Sequence, residues 1–438
     1  MKPDFSDSQD NVRVLTQSHT VSNDTFQTGL NNNDLIVGSS GAGKTGGYVI
    51  PNILNAQGSI ITSDTKRNLY RKLAPTLRAK GYRVYSIDFV RPEQSSAYNP
   101  LYYISTDADG KVREQDVMTV VNAIMPPLDR DEPFWDESAK TVAACLVSYV
   151  KEVFPPEEQT LYTMTEVFKV MQSQYGQLSK NSNSAPVIPF LEEWSVVSPD
   201  SFASRKYQMF KGVLPAEKTW SCVEAFLSAS IDIFDFKESR QLFKGSSDFQ
   251  FSDLGCHKCA VFLNISDTDR SFDKLVNLFY TQALQELCKE ADNNPDSRLK
   301  VPVRLFLDDF ATNAFIPDFD KIISVIRSRE ISVSVILQSL TQLETMYSHP
   351  ASVTILNNCD HILYLGGNDW ETAEYISRYA DKPISKVLCM PLDKVWLITR
   401  GQKAELADKI RPYSYEIPEP EETSEEIFEP YYETELPF

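Results

Sequence analysis

The run Gly38-Ser39-Ser40-Gly41-Ala42-Gly43-Lys44-Thr45 follows directly on the apolar tripeptide Leu35-Ile36-Val37 and precedes a segment that can be helical. It fills every fixed position of the phosphate-binding loop pattern. Backbone N–H groups can wrap a polyphosphate only where side chains leave room, which Gly38, Gly41 and Gly43 provide. Lys44 then supplies a point charge for the β- and γ-phosphates, and the Thr45 hydroxyl stands where it can ligate Mg²⁺. Ser39, Ser40 and Ala42 complete the nucleotide-binding loop. The fold must therefore supply a strand, this loop and a helix, in that order.

The rest of the chain agrees with that demand. Tyr48, Val49, Ile53 and Leu54 give a helical face, which Pro51 should kink or shorten. Ser59-Ile60-Ile61-Thr62 reads as a strand ending in Asp64, followed by a basic helix through Lys66, Arg67, Arg71, Lys72, Arg78 and Lys80, and by the strand Val84–Ile87. Strand, helix, strand in alternation predicts an α/β fold with a mostly parallel sheet. The basic helix is either a solvated outer face or a surface lining a DNA path or a subunit contact.

From about Val112 to Phe243 the chain reads as helices: Val117–Met125, Ser138–Val153, Thr163–Met171, Tyr207–Val213 and Ser221–Ser228, with Ser173–Pro186 as a mobile loop. This is an all-α insertion, residues 101–250, which returns to the sheet near Phe251. Apolar strands resume at Ala260–Ile265, Val303–Leu307, Val333–Leu337, Ile362–Leu365 and Val395–Thr399, with a helix over Phe272–Lys289. Their near-continuous apolar character predicts burial on both faces. The nucleotide-binding part thus comprises residues 1–100 and 251–415, its segment Asn11–Thr28 being a ribbon or arm without chemical signal. Residues 416–438 carry many Glu and no Lys or Arg, and read as a disordered or partner-binding tail.

Composition narrows the partners. A net charge of -18 repels nucleic acid and anionic membranes, so any DNA must meet a local basic surface or the inside of an assembly. Seven scattered cysteines suit a reducing cytosol better than a disulfide framework. Cys256 and Cys259 form half of a zinc pattern, but with no second such pair in the chain they read as the lead-in to a strand. The first ten residues lack the basic and apolar regions of a signal peptide, and no window approaches about 18 consecutive apolar residues.

Hydrolysis needs an acidic partner at the end of a second strand, and Leu305-Phe306-Leu307-Asp308-Asp309 offers one. Asp308 is the candidate to hold Mg²⁺ with Thr45, and Asp309 to orient or deprotonate the attacking water. Gln338, at the end of the strand Ser332–Leu337, either reaches a γ-phosphate or closes a turn. Arg327 and Arg329 either form surface ion pairs or face a neighbouring subunit's nucleotide, where an arginine stabilises transition-state charge.

These residues resemble the coupling-protein ATPases of type IV secretion and conjugation systems, the TraG/TraD-like group. The resemblance rests on the phosphate loop with Pro51-Asn52-Ile53-Leu54, on Ser63-Asp64-Thr65-Lys66, on Tyr98-Asn99-Pro100-Leu101 and on Phe134-Trp135. It continues through Leu307-Asp308-Asp309-Phe310-Ala311, Ile316-Pro317-Asp318-Phe319, Ile326-Arg327-Ser328-Arg329 and Ile336-Leu337-Gln338-Ser339-Leu340-Thr341-Gln342-Leu343. Asn358-Cys359-Asp360, Leu365-Gly366-Gly367-Asn368-Asp369 and Glu371-Thr372-Ala373 close it.

The resemblance implies a RecA-like P-loop NTPase domain that binds ATP and Mg²⁺, an all-α domain that recruits substrate, and a homo-hexameric ring at the inner membrane. It further implies ATP-driven transfer of single-stranded DNA, with its attached relaxase, into the components of a secretion channel. The sequence departs from the family twice. Most members have Asp-Glu where this chain has Asp308-Asp309, and the shorter side chain withdraws the carboxylate by one methylene, enough to slow hydrolysis. Most also begin with transmembrane helices; without them, the expectation is a cytoplasmic protein brought to the membrane by a separate anchoring partner. Two alternatives stay open: a nucleotide-regulated substrate receptor with weak or no ATPase, and a motor for protein effectors only.

Overall fold

The computed structural model describes residues 11–417 except 66, 127–132, 182–185, 244–246, 267, 311–314, 414 and 416. An N-terminal antiparallel hairpin pairs β1 (Val12–Val14) with β2 (Thr20–Ser22). The main sheet holds nine strands among the described residues: β3 (Asp34–Val37), β4 (Ser59–Ser63), β5 (Arg83–Asp88), β6 (Cys259–Asn264), β7 (Val303–Leu307), β8 (Ile331–Leu337), β9 (His361–Tyr364), β10 (Lys394–Thr399) and β11 (Glu405–Asp408). Their order is β11-β10-β9-β3-β8-β7-β4-β6-β5. From β9 to β5 every neighbouring pair is parallel. β10 and β11 add an antiparallel edge. The α/β architecture with a mostly parallel sheet is the one the alternation predicts.

Successive strand side chains point to opposite faces, and both faces here are covered. Leu35 and Val37 of β3 enter the core shared with the helical segment, while Ile36 joins Tyr48, Leu73 and Leu77 on the other side. Leu305 and Leu307 part from Phe306 in the same way in β7, and Val333, Val335 and Leu337 from Ile336 in β8. Each such fully buried side chain contributes about 1.5–3 kcal/mol, which explains the uninterrupted apolar runs.

Between β5 and β6 the described elements are helical, apart from one isolated bridge between Thr106 and Val112. The helices of six residues or more are Glu114–Ile124, Pro133–Val153, Leu161–Asn181, Pro189–Val197, Phe202–Lys211, Glu217–Ile231, Lys237–Leu242 and Phe251–Cys256. Val142, Leu146, Met164, Tyr207, Trp220 and Leu227 pack among them. Ser173–Asn181, expected to be loop, is the end of a helix, because Tyr175 is buried and its hydroxyl donates to the Leu214 carbonyl at 3.0 Å. Of that stretch only 182–185 lie outside the described residues. Pro189–Val197 is a helix with no counterpart in the sequence reading, opened by a proline at its first position.

The helix behind the phosphate loop is distorted as Pro51 requires. Thr45–Val49 forms a π-turn and Ile50–Leu54 an α-helix, since the proline nitrogen cannot donate to a carbonyl one turn back. The basic helix spans Asn68–Ala79, burying Leu69, Leu73 and Leu77 and exposing Arg71, Lys72 and Arg78. Cys256 closes a helix and Cys259 opens β6. Lys66, Ala311 and, except Tyr415 and Ile417, the tail from residue 414 onward lie outside the described residues. Among the described residues no helix is long and apolar enough to cross a membrane.

Candidate nucleotide site

β3 ends at Val37, in register with Leu337 of β8 and Tyr364 of β9, so the loop behind it emerges at the carboxyl edge of the sheet's middle. Ligands of open α/β sheets bind at that edge. The Gly38 amide donates to the Leu337 carbonyl at 3.1 Å and the Ser39 amide to the Gly366 carbonyl at 2.9 Å, pinning the loop between its neighbours. Gly41 and Gly43 take φ of 77° and 93°, a region that side chains disfavour. Lys44 is buried and folds over the loop, its ammonium donating to the carbonyls of Gly38 at 2.8 Å and Ser39 at 3.3 Å.

Asp308 follows β7 directly and is buried. The Thr45 hydroxyl donates to Asp308 Oδ2 at 2.5 Å, and Lys44 Nζ lies 4.0 Å from Asp309 Oδ1. Burial pushes the Asp308 carboxyl up to about 6; the Thr45 hydroxyl opposes that shift, the Asp309 charge adds to it and the Lys44 ammonium opposes it. Asp309 adopts a left-handed φ of 49°, which turns the chain sharply and leaves its side chain 34% exposed beside the loop. A hydroxyl and a carboxylate in contact are hard oxygen donors, the set that Mg²⁺ takes when phosphates and water complete its shell. Among the described residues no cluster of three or more His, Cys, Asp or Glu offers an all-protein metal cage. The donor set therefore fits Mg²⁺ delivered with a nucleotide.

Gln338 lies at the same edge, half-buried, and its backbone N–H donates to the Gln342 side-chain oxygen at 3.1 Å. Arg327 and Arg329 do not join the site within one chain. They sit on the turn Ile326–Arg329 ahead of β8, at the opposite edge of the sheet. Arg329 pairs with Asp292 at 2.9 Å, whereas Arg327 is exposed and lines a cavity of about 310 Å³ with Arg13 and Arg304.

Several contacts that support the site go beyond the roles read from the sequence. The Ser63 hydroxyl donates to the Asp308 carbonyl at 2.9 Å, and Asp64 caps the basic helix by accepting from the amides of Asn68 and Tyr70 at 3.0 and 2.9 Å. Lys409, far along the chain, donates to the Leu365 carbonyl at 2.6 Å, beside the loop. In the arm, Arg13 is buried and bound to Asp34 of β3 at 2.8 Å. The Ser63, Lys409 and Arg13 pairings join residues remote in sequence, so local pattern does not mark them, whereas the Asp64 cap is local.

Comparison with known proteins gives this geometry its relatives. The VirD4 proteins of Rhizobium radiobacter and Agrobacterium fabrum are each 22% identical over 349 residues, covering 78% of this chain and 47% and 48% of theirs. The chain thus spans about half the length of the curated relatives it matches. Among solved structures, the plasmid coupling protein TrwB in complex with ADP and Mg²⁺ superposes with a TM-score of 0.64 at 13% identity, over 95% of this chain and 92% of that one. VirB4 of Thermoanaerobacter pseudethanolicus gives 0.56 at 12% identity, over 94% and 100%. These likenesses establish a RecA-like fold. The family described as type IV secretory system conjugative DNA transfer matches residues 6–381, and the chain belongs to that family.

Proposed function

We propose that the chain is an ATP-driven coupling protein that moves single-stranded DNA, with its attached relaxase, into a type IV secretion channel. The contact between Thr45 and Asp308 carries this reading, because it joins two motifs 263 residues apart into a Mg²⁺–nucleotide ligand set. Gly38 to Thr45 cradle the phosphates of ATP, Lys44 moves from the loop carbonyls onto the β- and γ-phosphates, and Thr45 and Asp308 hold Mg²⁺. Held by Thr45 and Asp308, Mg²⁺ would supply positive charge against the phosphates. Asp309 orients or deprotonates the attacking water, with Gln338 at the γ-phosphate or that water.

Arg327 and Arg329 act in trans. A head-to-tail ring has a heterologous interface, so residues remote from the loop in one copy can face the nucleotide of the next. Residues 1–100 and 251–415 form the motor and 101–250 the substrate-recruiting domain. The ring works at the cytoplasmic face of the membrane.

The test is the steady-state ATPase rate with and without single-stranded DNA, for the native chain and for Lys44→Ala. DNA stimulation that vanishes in the variant is expected. A native rate equal to the variant's removes the motor and leaves the nucleotide-regulated receptor, the second reading, which the short Asp309 carboxylate favours. The same assay on Arg327→Ala and Arg329→Ala tests the trans role, and unchanged turnover in both excludes it. Stimulation by protein cargo alone would instead mark an effector motor, which the charge of -18 favours.

A further inference from the structure

Two glycines directly behind Thr45, Gly46 and Gly47, have no part in the phosphate loop pattern, yet neither tolerates a side chain. A Cβ on Gly47 would lie 2.8 Å from the Ile410 carbonyl oxygen, and one on Gly46 2.8 Å from Pro412 Cβ. The cause is the segment behind β11, which crosses the loop and its helix. Lys409 fixes one end through the Leu365 carbonyl. Tyr415 fixes the other, its hydroxyl donating to the Gly46 carbonyl at 2.6 Å.

Between these anchors stands Tyr413. Its backbone takes a left-handed φ of 59°, uncommon for a bulky residue, and its ring is 60% exposed. The ring edge comes within 3.3 Å of the Cβ position of Gly46, and the Lys72 ammonium lies 4.8 Å from the ring centroid. A large aromatic group is thus held in the open, on a constrained backbone, at the end of the phosphate loop.

Lys44, Asp308 and Asp309 mark the γ end of a bound triphosphate, and the amides of the loop take its α- and β-phosphates. The sugar and base then leave the loop past Thr45 and Gly46. We infer that Tyr413 is the platform on which the nucleobase stacks, a purine-binding subsite closed by the chain's own C-terminal segment. The inference rests on the nucleotide-binding reading above. Stacking uses the π-face that every base has, so this subsite holds adenine and guanine alike. The Lys72 ammonium lies over one face of the ring, so the base stacks on the other.

Isothermal titration calorimetry on the full chain separates the possibilities, with MgATP, MgGTP and Mg-tripolyphosphate as ligands. Tyr413→Ala is expected to weaken ATP and GTP together, by about tenfold or more, and to leave tripolyphosphate unchanged. Tyr413→Phe should bind all three like the native chain. Native-like ATP binding by Tyr413→Ala overturns the inference, as does an equal loss for tripolyphosphate, which would mean that the ring only shapes the loop. A native chain that binds none of the three overturns the nucleotide reading itself, a failure distinct from these.

Discussion

Among the site residues, Asp308 carries a pH dependence whose sign is fixed. Its carboxyl, ordinarily near 3.8, sits at about 6 in the folded chain because burial disfavours the charge. The folded chain therefore binds the proton more tightly than the unfolded one. Stability without ligand falls as pH rises from 3.8 towards 6, and the full penalty is present above 6. Mg²⁺ must displace that proton to use the carboxylate. Mg²⁺-dependent nucleotide affinity should accordingly weaken about tenfold per pH unit below 6, while affinity measured in a chelator stays flat. Titrations between pH 5 and 8 with and without Mg²⁺ check this; parallel curves would remove Asp308 as a ligand.

Where elements meet, close approach sets the tolerances. Gly47→Ala forces a methyl group against the Ile410 carbonyl and should cost about 1–3 kcal/mol, read as a lower urea midpoint. Gly176, inside the helix Leu161–Asn181 with nothing within 4 Å of its Cβ position, should gain up to about 1 kcal/mol as alanine. The sequence announces the first constraint only in part. Gly43 is legible as a loop glycine, but Gly46 and Gly47 take their meaning from residues 410–412, which local pattern cannot pair with them. The apolar strands and Pro51 were readable because each acts through its own neighbours. The end of the helix Leu161–Asn181 was not, because one buried tyrosine outweighs a polar composition there.

At the scale of the whole molecule, the arm is tied to the sheet by charge. Burial raises the Asp34 carboxyl, but the guanidinium groups of Arg13 and Arg304, with His361 and the Tyr48 hydroxyl, hold it below the ordinary range. Arg13→Met leaves Asp34 short of a partner and should destabilise the chain by on the order of 3 kcal/mol in urea unfolding. A loss below 0.5 kcal/mol would show that Arg304 suffices. Nothing around Val12-Arg13-Val14 flags this role, whereas the phosphate loop was legible because its motif is complete in a few residues.

The strand order has a temporal consequence as well. β3 is the first strand of the main sheet to be made, yet both its neighbours, residues 331–337 and 361–364, come some three hundred residues later. Loop closure over such distances is slow. On the ribosome the phosphate loop is therefore an early promise kept late: residues 38–45 exist long before anything flanks them. A chain interrupted before residue 331 lacks both neighbours of β3, and with them the carbonyls of Leu337 and Gly366 that pin the loop.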